Sequence, residues 1–379
     1  MHEAHEPLTV GVPRVETSDG IVRVTADVDG TDVWFETVDA PLRPAPEAWG
    51  SGLLVPGLHA GRRLALPSAP DPVWLGNVTR LLSIFERWWG TPLLPPGAPR
   101  AEPAGHSERE PRPGRPTGVF FSAGIDSFHA LLRSGHDVRT LVHVQGFDID
   151  LDDTSRLERV EASVRDVART LGISAIVVRT NLRYHPLMRA MNWERTHGGA
   201  MAAVAHALGG ELERVLIASS FPRRFPGPWG SHWMTDPLWS SGSIELVHVG
   251  AEGGRLYKAR AIVHEPIVLE HLHVCYKNVD GVLNCSRCEK CLFTLLTLAE
   301  AGVLDRCPTL DGRDLLARIE ALPSMRWRRP GLVQLALSNR LERRLRLAVA
   351  KLLLRSELKD SWPGRAARSL ARRLKSRGV

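Results

Sequence analysis

The stretch VFFSAGIDSFHALL, residues 119–132, decides the fold. Val119, Phe120 and Phe121 read as the end of a buried strand, and Phe128, Leu131 and Leu132 recur at helical spacing directly afterwards. Between them lie Ser122, Ala123, Gly124, Ile125, Asp126 and Ser127. A strand that turns this abruptly into a helix aims the helix's first N–H groups, the positive end of its dipole and two hydroxyls at one place. That place suits an anion such as phosphate. Gly124 permits close approach of the backbone, and Ser127 can cap the helix as well as touch the anion. Ala123 is expected at negative φ, because its Cβ penalises the left-handed region.

Outward from this turn, strand and helix patterns alternate. Residues 138–144 read as a strand, and 152–171 as a helix with Leu157, Val160, Val164, Val167 and Leu171 on one face. A short buried strand at 176–178, a small-residue helix at 199–208 and a strand at 215–220 follow. This order predicts an α/β fold, a parallel sheet with helices on both faces and ligands at the carboxyl ends of the strands. Candidate binding residues therefore follow strands. After the second strand come His143, Gln145 and Asp148; the long loop 219–239, SSFPRRFPGPWGSHWMTDPLW, carries Arg223, Arg224 and His232. The plainer alternative for these arginines is pairing with surface acids. His197 is a weaker candidate, and no Ser/His/Asp or H-E-x-x-H arrangement supports a hydrolase.

The flanks differ in kind. Residues 1–91 read as a small α+β module, with strands at 21–28 and 31–38 joined by the turn Asp29-Gly30, and a helix near 77–89. Its aromatic residues are read as core. From Pro92 to Gly118 there are 8 prolines in 27 residues, so 92–117 is assigned as a linker and 118–323 as the main domain. Residues 324–379 carry 16 Lys+Arg against 3 Asp+Glu, a charge of +13, which leaves −6 of the net +7 for the remainder. Leucines at 341, 345 and 352 with Ala348 give this extension an amphipathic helix, and 364–375 is a second short basic helix. Such segments bind nucleic acid, anionic lipid or an acidic protein; the plain alternative is a solvated helix pair packed on the body.

The sequence shows no secretory pattern and no long apolar run, so a cytoplasmic protein is expected and the sequons at Asn77 and Asn284 carry no meaning there. All five cysteines lie between Cys275 and Cys307. Cys275, Cys285, Cys288 and Cys291 have the spacing C-x9-C-x2-C-x2-C, which fits a closed tetrahedral zinc site, with an iron–sulfur cluster as the rival; Cys307 reads as a buried thiol.

The turn SAGIDS resembles the S-G-G-x-D-S pyrophosphate loop of the N-type ATP pyrophosphatases, and no Walker motif is present. Together with the cysteine spacing, with Tyr257-Lys258-Ala259-Arg260-Ala261-Ile262-Val263 beside that family's T-K-A-E-I-V, and with Val274-Cys275-Tyr276 beside its S-C-Y, the segment 117–301 is similar to the 7-cyano-7-deazaguanine synthases. The resemblance implies the adenine nucleotide alpha hydrolase-like (PP-loop) fold, ATP, Mg2+ and Zn2+ as cofactors, and adenylation of a carboxylate that ammonia then converts to an amide or nitrile. It implies phosphate contacts from Ser122, Ala123, Gly124, Ile125, Asp126 and Ser127, with Asp126 reaching magnesium and Lys258, arriving on a later strand, neutralising the phosphates. In this scheme Asp126, Ser127 and Lys258 are catalytic; His143 and Gln145 touch the nucleotide; Asp148, Arg223, Arg224 and His232 face the substrate. The family's F-D-Y-G-Q-R-H is replaced here by His143-Val144-Gln145-Gly146-Phe147-Asp148, and its substrate loop by 219–239, so the substrate stays open. The expected partners are a small carboxylate and ammonia, with a homo-oligomer as one assembly. The alternatives are a PP-loop enzyme acting on nucleic acid or protein, and a nucleotide-binding interaction protein without turnover.

Overall fold

The sequence order of the elements is a set of antiparallel strands followed by alternating strands and helices. In the computed structural model, which describes residues 6–90, 114–225, 227–325 and 329–360, these form two units, 1–253 and 254–379. The first unit holds strands β1 (Leu8–Thr9), β2 (Arg14–Ser18), β3 (Ile21–Val28), β4 (Thr31–Thr37), β5 (Leu64–Ala65), β6 (Thr117–Phe120), β7 (Val138–Gln145), β8 (Ser174–Thr180), β9 (Arg214–Ala218) and β10 (Glu245–Val249). Its helices are α1 (Pro46–His59), α2 (Pro72–Trp89), α3 (Ile125–Arg133), α4 (Thr154–Leu171), α5 (Pro186–Ala190) and α6 (Trp193–Ala207). The second unit is helical among the described residues: α7 (Arg255–Ile262), α8 (Pro266–His271), α9 (Glu289–Ala301), α10 (Leu315–Ala321), α11 (Arg329–Leu337) and α12 (Arg343–Asp360).

Eight strands make one mixed sheet in the order β10-β9-β6-β7-β8-β4-β3-β2. The five from β10 to β8 run parallel; β4, β3 and β2 are antiparallel to their neighbours. The turn between β3 and β4 is set by Asp29 (φ 52°) and Gly30 (φ 78°), the two consecutive left-handed residues that a tight hairpin demands. The residues expected as a separate N-terminal module instead extend the main sheet, because β4 hydrogen-bonds to β8 with Phe35 opposite Thr180 and Glu36 opposite Arg179. Asp39 fastens the same seam by accepting the Val177 N–H at 2.9 Å and both Arg165 N–H groups at 2.9 and 3.0 Å. The assigned linker lies largely outside the described residues, as does the expected helix at 364–375.

Side-chain alternation buries both faces of the parallel part. Phe120, Val142, Val178, Ile217 and Leu246 pack with α1, α2 and α6, together with Val33 and Phe35 of the hairpin. Neighbouring residues Val119, Leu141 and Leu216 are also buried; α3 and α4 contact this sheet, and α4 buries Leu157, Val160, Val164 and Val167. Helices on both faces explain why the strands read as apolar runs rather than alternating ones. Among the described residues no helix is long and apolar enough to cross a membrane.

Candidate functional site

The parallel strands have a topological switch point. From β6 the chain runs through α3 to β7 and through α4 to β8 on one side, then returns by α5 and α6 to β9 on the other side of β6. The connections after β6 and β9 therefore diverge at the carboxyl edge, and such a switch point is where open α/β sheets take ligands. The Ser122–Ser127 turn sits there.

The turn is closed by its own atoms. The Ser127 hydroxyl accepts the Gly124 N–H at 3.1 Å and the Ser122 N–H at 3.3 Å, and it lies 3.0 Å from the Gly124 carbonyl. Gly124 is the helix N-cap, with extended backbone (φ −84°, ψ 167°), and its carbonyl accepts the Phe128 N–H at 2.9 Å to start α3. Ile125, Asp126 and Ser127 make the first turn of α3, whose N–H groups have no intrahelical carbonyl to reach. The Ser122 side of the turn is exposed, while Ala123, Ile125 and Ser127 are buried. Ala123 departs from expectation: its φ is +56°, in the left-handed region. A non-glycine residue held there stores about 1 kcal/mol of strain, so the Ser127 bonds on either side of it act against a bias in the backbone.

His143 enters from β7. Its Nδ1 lies 3.0 Å from the Phe121 carbonyl, the last residue before the turn, so Nδ1 carries the proton and donates. Burial lowers its pKa despite that carbonyl, so the ring is neutral and Nε2 is a bare acceptor. Nε2 is buried and has no hydrogen-bond partner among the described residues. An orphaned acceptor beside an anion-directed turn has the chemistry to receive an N–H or O–H donor.

The other expected contacts are distributed differently. Gln145 is buried and donates to Glu161 at 3.0 Å, within a structural chain that continues through Arg165 to Asp39. Asp148 is exposed in the same loop. In the loop 219–239, Arg223 lies over the Trp233 ring at 5.1 Å, and its backbone N–H is tied to Ala251 at 2.6 Å; Arg224 is exposed. His232 is a packing residue. It stands edge-on to Trp88 at 5.0 Å, and its Nδ1 accepts the Met234 N–H at 3.2 Å. His197 bonds its own helix at the Trp193 carbonyl, 3.0 Å away. Gly198 fixes this loop against α6, since a Cβ there would meet the Gly230 carbonyl oxygen at 2.0 Å.

One pair beside this loop escaped sequence reasoning. Asp236 is fully buried and accepts from the Ser231 hydroxyl at 2.7 Å, the His232 N–H at 3.0 Å and His248 Nδ1 at 2.6 Å. His248 interrupts the apolar run Leu246-Val247-His248-Val249 near the end of β10, and a polar residue at that position was its only local signal.

In the second unit, Lys258 lies on helix α7, not on a strand, and is buried. Gly254 caps this helix and receives the Lys258 N–H at 3.1 Å; the short apolar run Ala261-Ile262-Val263 reads equally well in either period. Further along, the four cysteines converge. Their Sγ atoms all lie within 4.8 Å of one another, with Cys275–Cys288 at 4.0 Å, Cys285–Cys291 at 3.9 Å and Cys288–Cys291 at 3.4 Å. Thiolates about 2.3 Å from a central zinc stand at tetrahedral edges of about 3.8 Å, so the donor set fits a metal ion such as zinc. Cys288 caps helix α9 and Cys291 lies in its first turn, where the dipole favours negative sulfur. The Cys291 thiol holds Cys288 down at about 5, while Cys291 itself is pushed well above the ordinary thiol range by that same partner. N–H groups of Lys277 and Cys288 point at the sulfurs of Cys275 and Cys285, at 3.4 and 3.3 Å.

Asn284 supports this knuckle, a role that its sequon does not disclose. Its buried side chain accepts the Val274 and Cys275 N–H groups at 2.9 and 3.1 Å and donates to the Leu272 and Thr309 carbonyls at 2.8 and 3.1 Å. Cys307 stands apart, buried beside Thr309.

Compared with family models, with curated proteins and with solved structures, the chain shows no match.

Proposed function

We propose that the first unit binds ATP at the Ser122–Ser127 turn and adenylates a carboxylate substrate, in the manner of a PP-loop ATP pyrophosphatase. The observation that carries this reading is the position of the turn: an anion-directed helix start at the sheet's switch point, closed by Ser127 and flanked by the unpartnered Nε2 of His143. The backbone N–H groups of α3 and the Ser122 hydroxyl hold phosphate oxygens, Asp126 reaches the accompanying magnesium, and His143 Nε2 accepts from a nucleotide N–H or O–H. A carboxylate is a poor electrophile because oxide is a poor leaving group. When its oxygen attacks the α-phosphorus, the bond from that phosphorus to the bridging oxygen breaks and pyrophosphate departs. Ammonia then attacks the acyl carbon, AMP leaves with the electron pair of the acyl–oxygen bond, and the nitrogen gives up one proton to yield an amide; if the amide oxygen is activated in the same way, loss of AMP and of both nitrogen protons yields a nitrile.

The test is pyrophosphate release from ATP over a panel of carboxylates, carboxydeazaguanine among them, with and without ammonia. Carboxylate-dependent release is expected, falling roughly 100-fold or more in Asp126→Asn at unchanged thermal stability. Equal turnover in wild type and variant would remove the turn from the reaction.

A further inference from the structure

Helix α12 has one packed face and one exposed face. Leu345, Ala348, Val349 and Leu352 are buried, and the helix is pinned by the Met325 N–H on Ser356 Oγ at 3.0 Å and by Arg355 on the Glu320 carbonyl at 2.6 Å. The opposite face repeats Arg343, Arg344, Leu347, Lys351, Leu354 and Leu358 at three- and four-residue steps, which places them along one side of a helix. Its three leucines are 54, 62 and 70% exposed. Because the inward face is already packed, these leucines are surplus to the core. The neighbouring acid Glu357 is ion-paired with Arg329 and does not neutralise the row. Residues 361–379, outside the described region, add six basic residues and no acidic one, with Trp362, Leu370 and Leu374 among them.

We propose that the outer face of α12 docks on an anionic lipid surface. Leucines interleaved with cations satisfy both requirements of reversible interfacial binding, apolar insertion and attraction to acidic headgroups. Nucleic acid offers phosphates to the cations but no apolar counterpart for three leucines. A second copy would set three cations against three cations. The proposal is independent of the adenylation reading.

The full chain is floated with vesicles of phosphatidylcholine alone and with about 30% phosphatidylglycerol, at about 0.1 M salt, where charges still act over roughly 10 Å. Binding is expected on the anionic vesicles alone and weakens at least tenfold at about 0.5 M salt. The triple variant Leu347→Gln/Leu354→Gln/Leu358→Gln binds at least tenfold more weakly with unchanged helix content, and Arg343→Ser/Arg344→Ser/Lys351→Ser weakens binding and flattens its salt dependence. Absence of anionic-vesicle binding, undiminished binding by the leucine variant, or retention of a short RNA duplex in its place would each overturn the proposal.

Discussion

The Ser122–Ser127 turn and the cysteine knuckle are both small loops that start a helix, yet they are closed by different means. In the turn, one hydroxyl, Ser127 Oγ, receives two backbone N–H groups and holds the shape unaided. In the knuckle, Asn284 organises the backbone, but four sulfurs converge within 4.8 Å of one another. Four crowded acids are costly as thiolates without a cation and poorly paired as thiols. The first loop is held in shape by its own hydrogen bonds; the second has a donor set that fits a metal ion.

That contrast breaks most visibly through the metal. Purified chain is expected to hold about one zinc, and Cys291→Ser or exhaustive chelation removes it. Because structural zinc binding is folding free energy, the loss is on the order of 5 kcal/mol or more, seen as amide exchange opening across 272–301 while the strands of the first unit stay protected. A metal-free chain with full protection in that segment would reduce the knuckle to an ordinary turn.

Acid separates the regions by a second route. In the first unit His143, His185, His197, His206 and His232 all have lowered pKa values, chiefly through burial. Burial brings His206 down to about 4, with Nε2 donating to the Trp239 carbonyl at 2.9 Å. Between its ordinary value of 6.5 and about 4, the unfolded chain takes a proton that the folded chain refuses. Its stabilisation is complete above pH 6.5 and is lost as the pH falls towards 4, by about 3 kcal/mol from this residue alone. Urea melts of the strand signal across that window check the slope, and His206→Asn removes part of it.

The seam between hairpin and sheet is the next test of a region held by side chains alone. Asp39→Ala leaves Arg165 partly unpaired and the Val177 N–H without its acceptor. A cost of about 2 kcal/mol is expected, moderated because the Arg165 side chain is a third exposed, with zinc content unaltered.

These seams show where a sequence stops being legible. The Ser122–Ser127 turn, the Asp29-Gly30 hairpin and the cysteine spacing are local, and the longest of them, Cys275 to Cys291, is written within 17 residues. The pairing of Phe35 with Thr180 spans 145 positions and leaves no local trace, so strands of one sheet read as a separate module. Asp236 and His248 are polar residues scattered in a loop and a strand until folding brings them to 2.6 Å. Lys258 reads as part of a strand yet lies on α7, because the apolar run of three that follows it suits both periods. Its buried position on α7 is a tertiary outcome, as is the orphaned Nε2 of His143.

The smallest effect addresses the one point at which the turn defies its own sequence. Ala123 is buried at φ +56°, and glycine would relieve its Cβ strain while giving back some unfolded-state entropy. Ala123→Gly therefore stabilises the chain by up to about 1 kcal/mol, measured as a small rise in the melting temperature of the first unit. If the turn is preformed by Ser127, nucleotide affinity is unchanged in this variant. If the methyl group helps hold the left-handed geometry, affinity falls even though stability rises, because glycine also samples conformations in which the N–H groups no longer converge. Titration of ATP into wild type and Ala123→Gly separates these cases. A fall in affinity would move the phosphate turn closer to the knuckle, as a loop whose shape depends in part on what it binds.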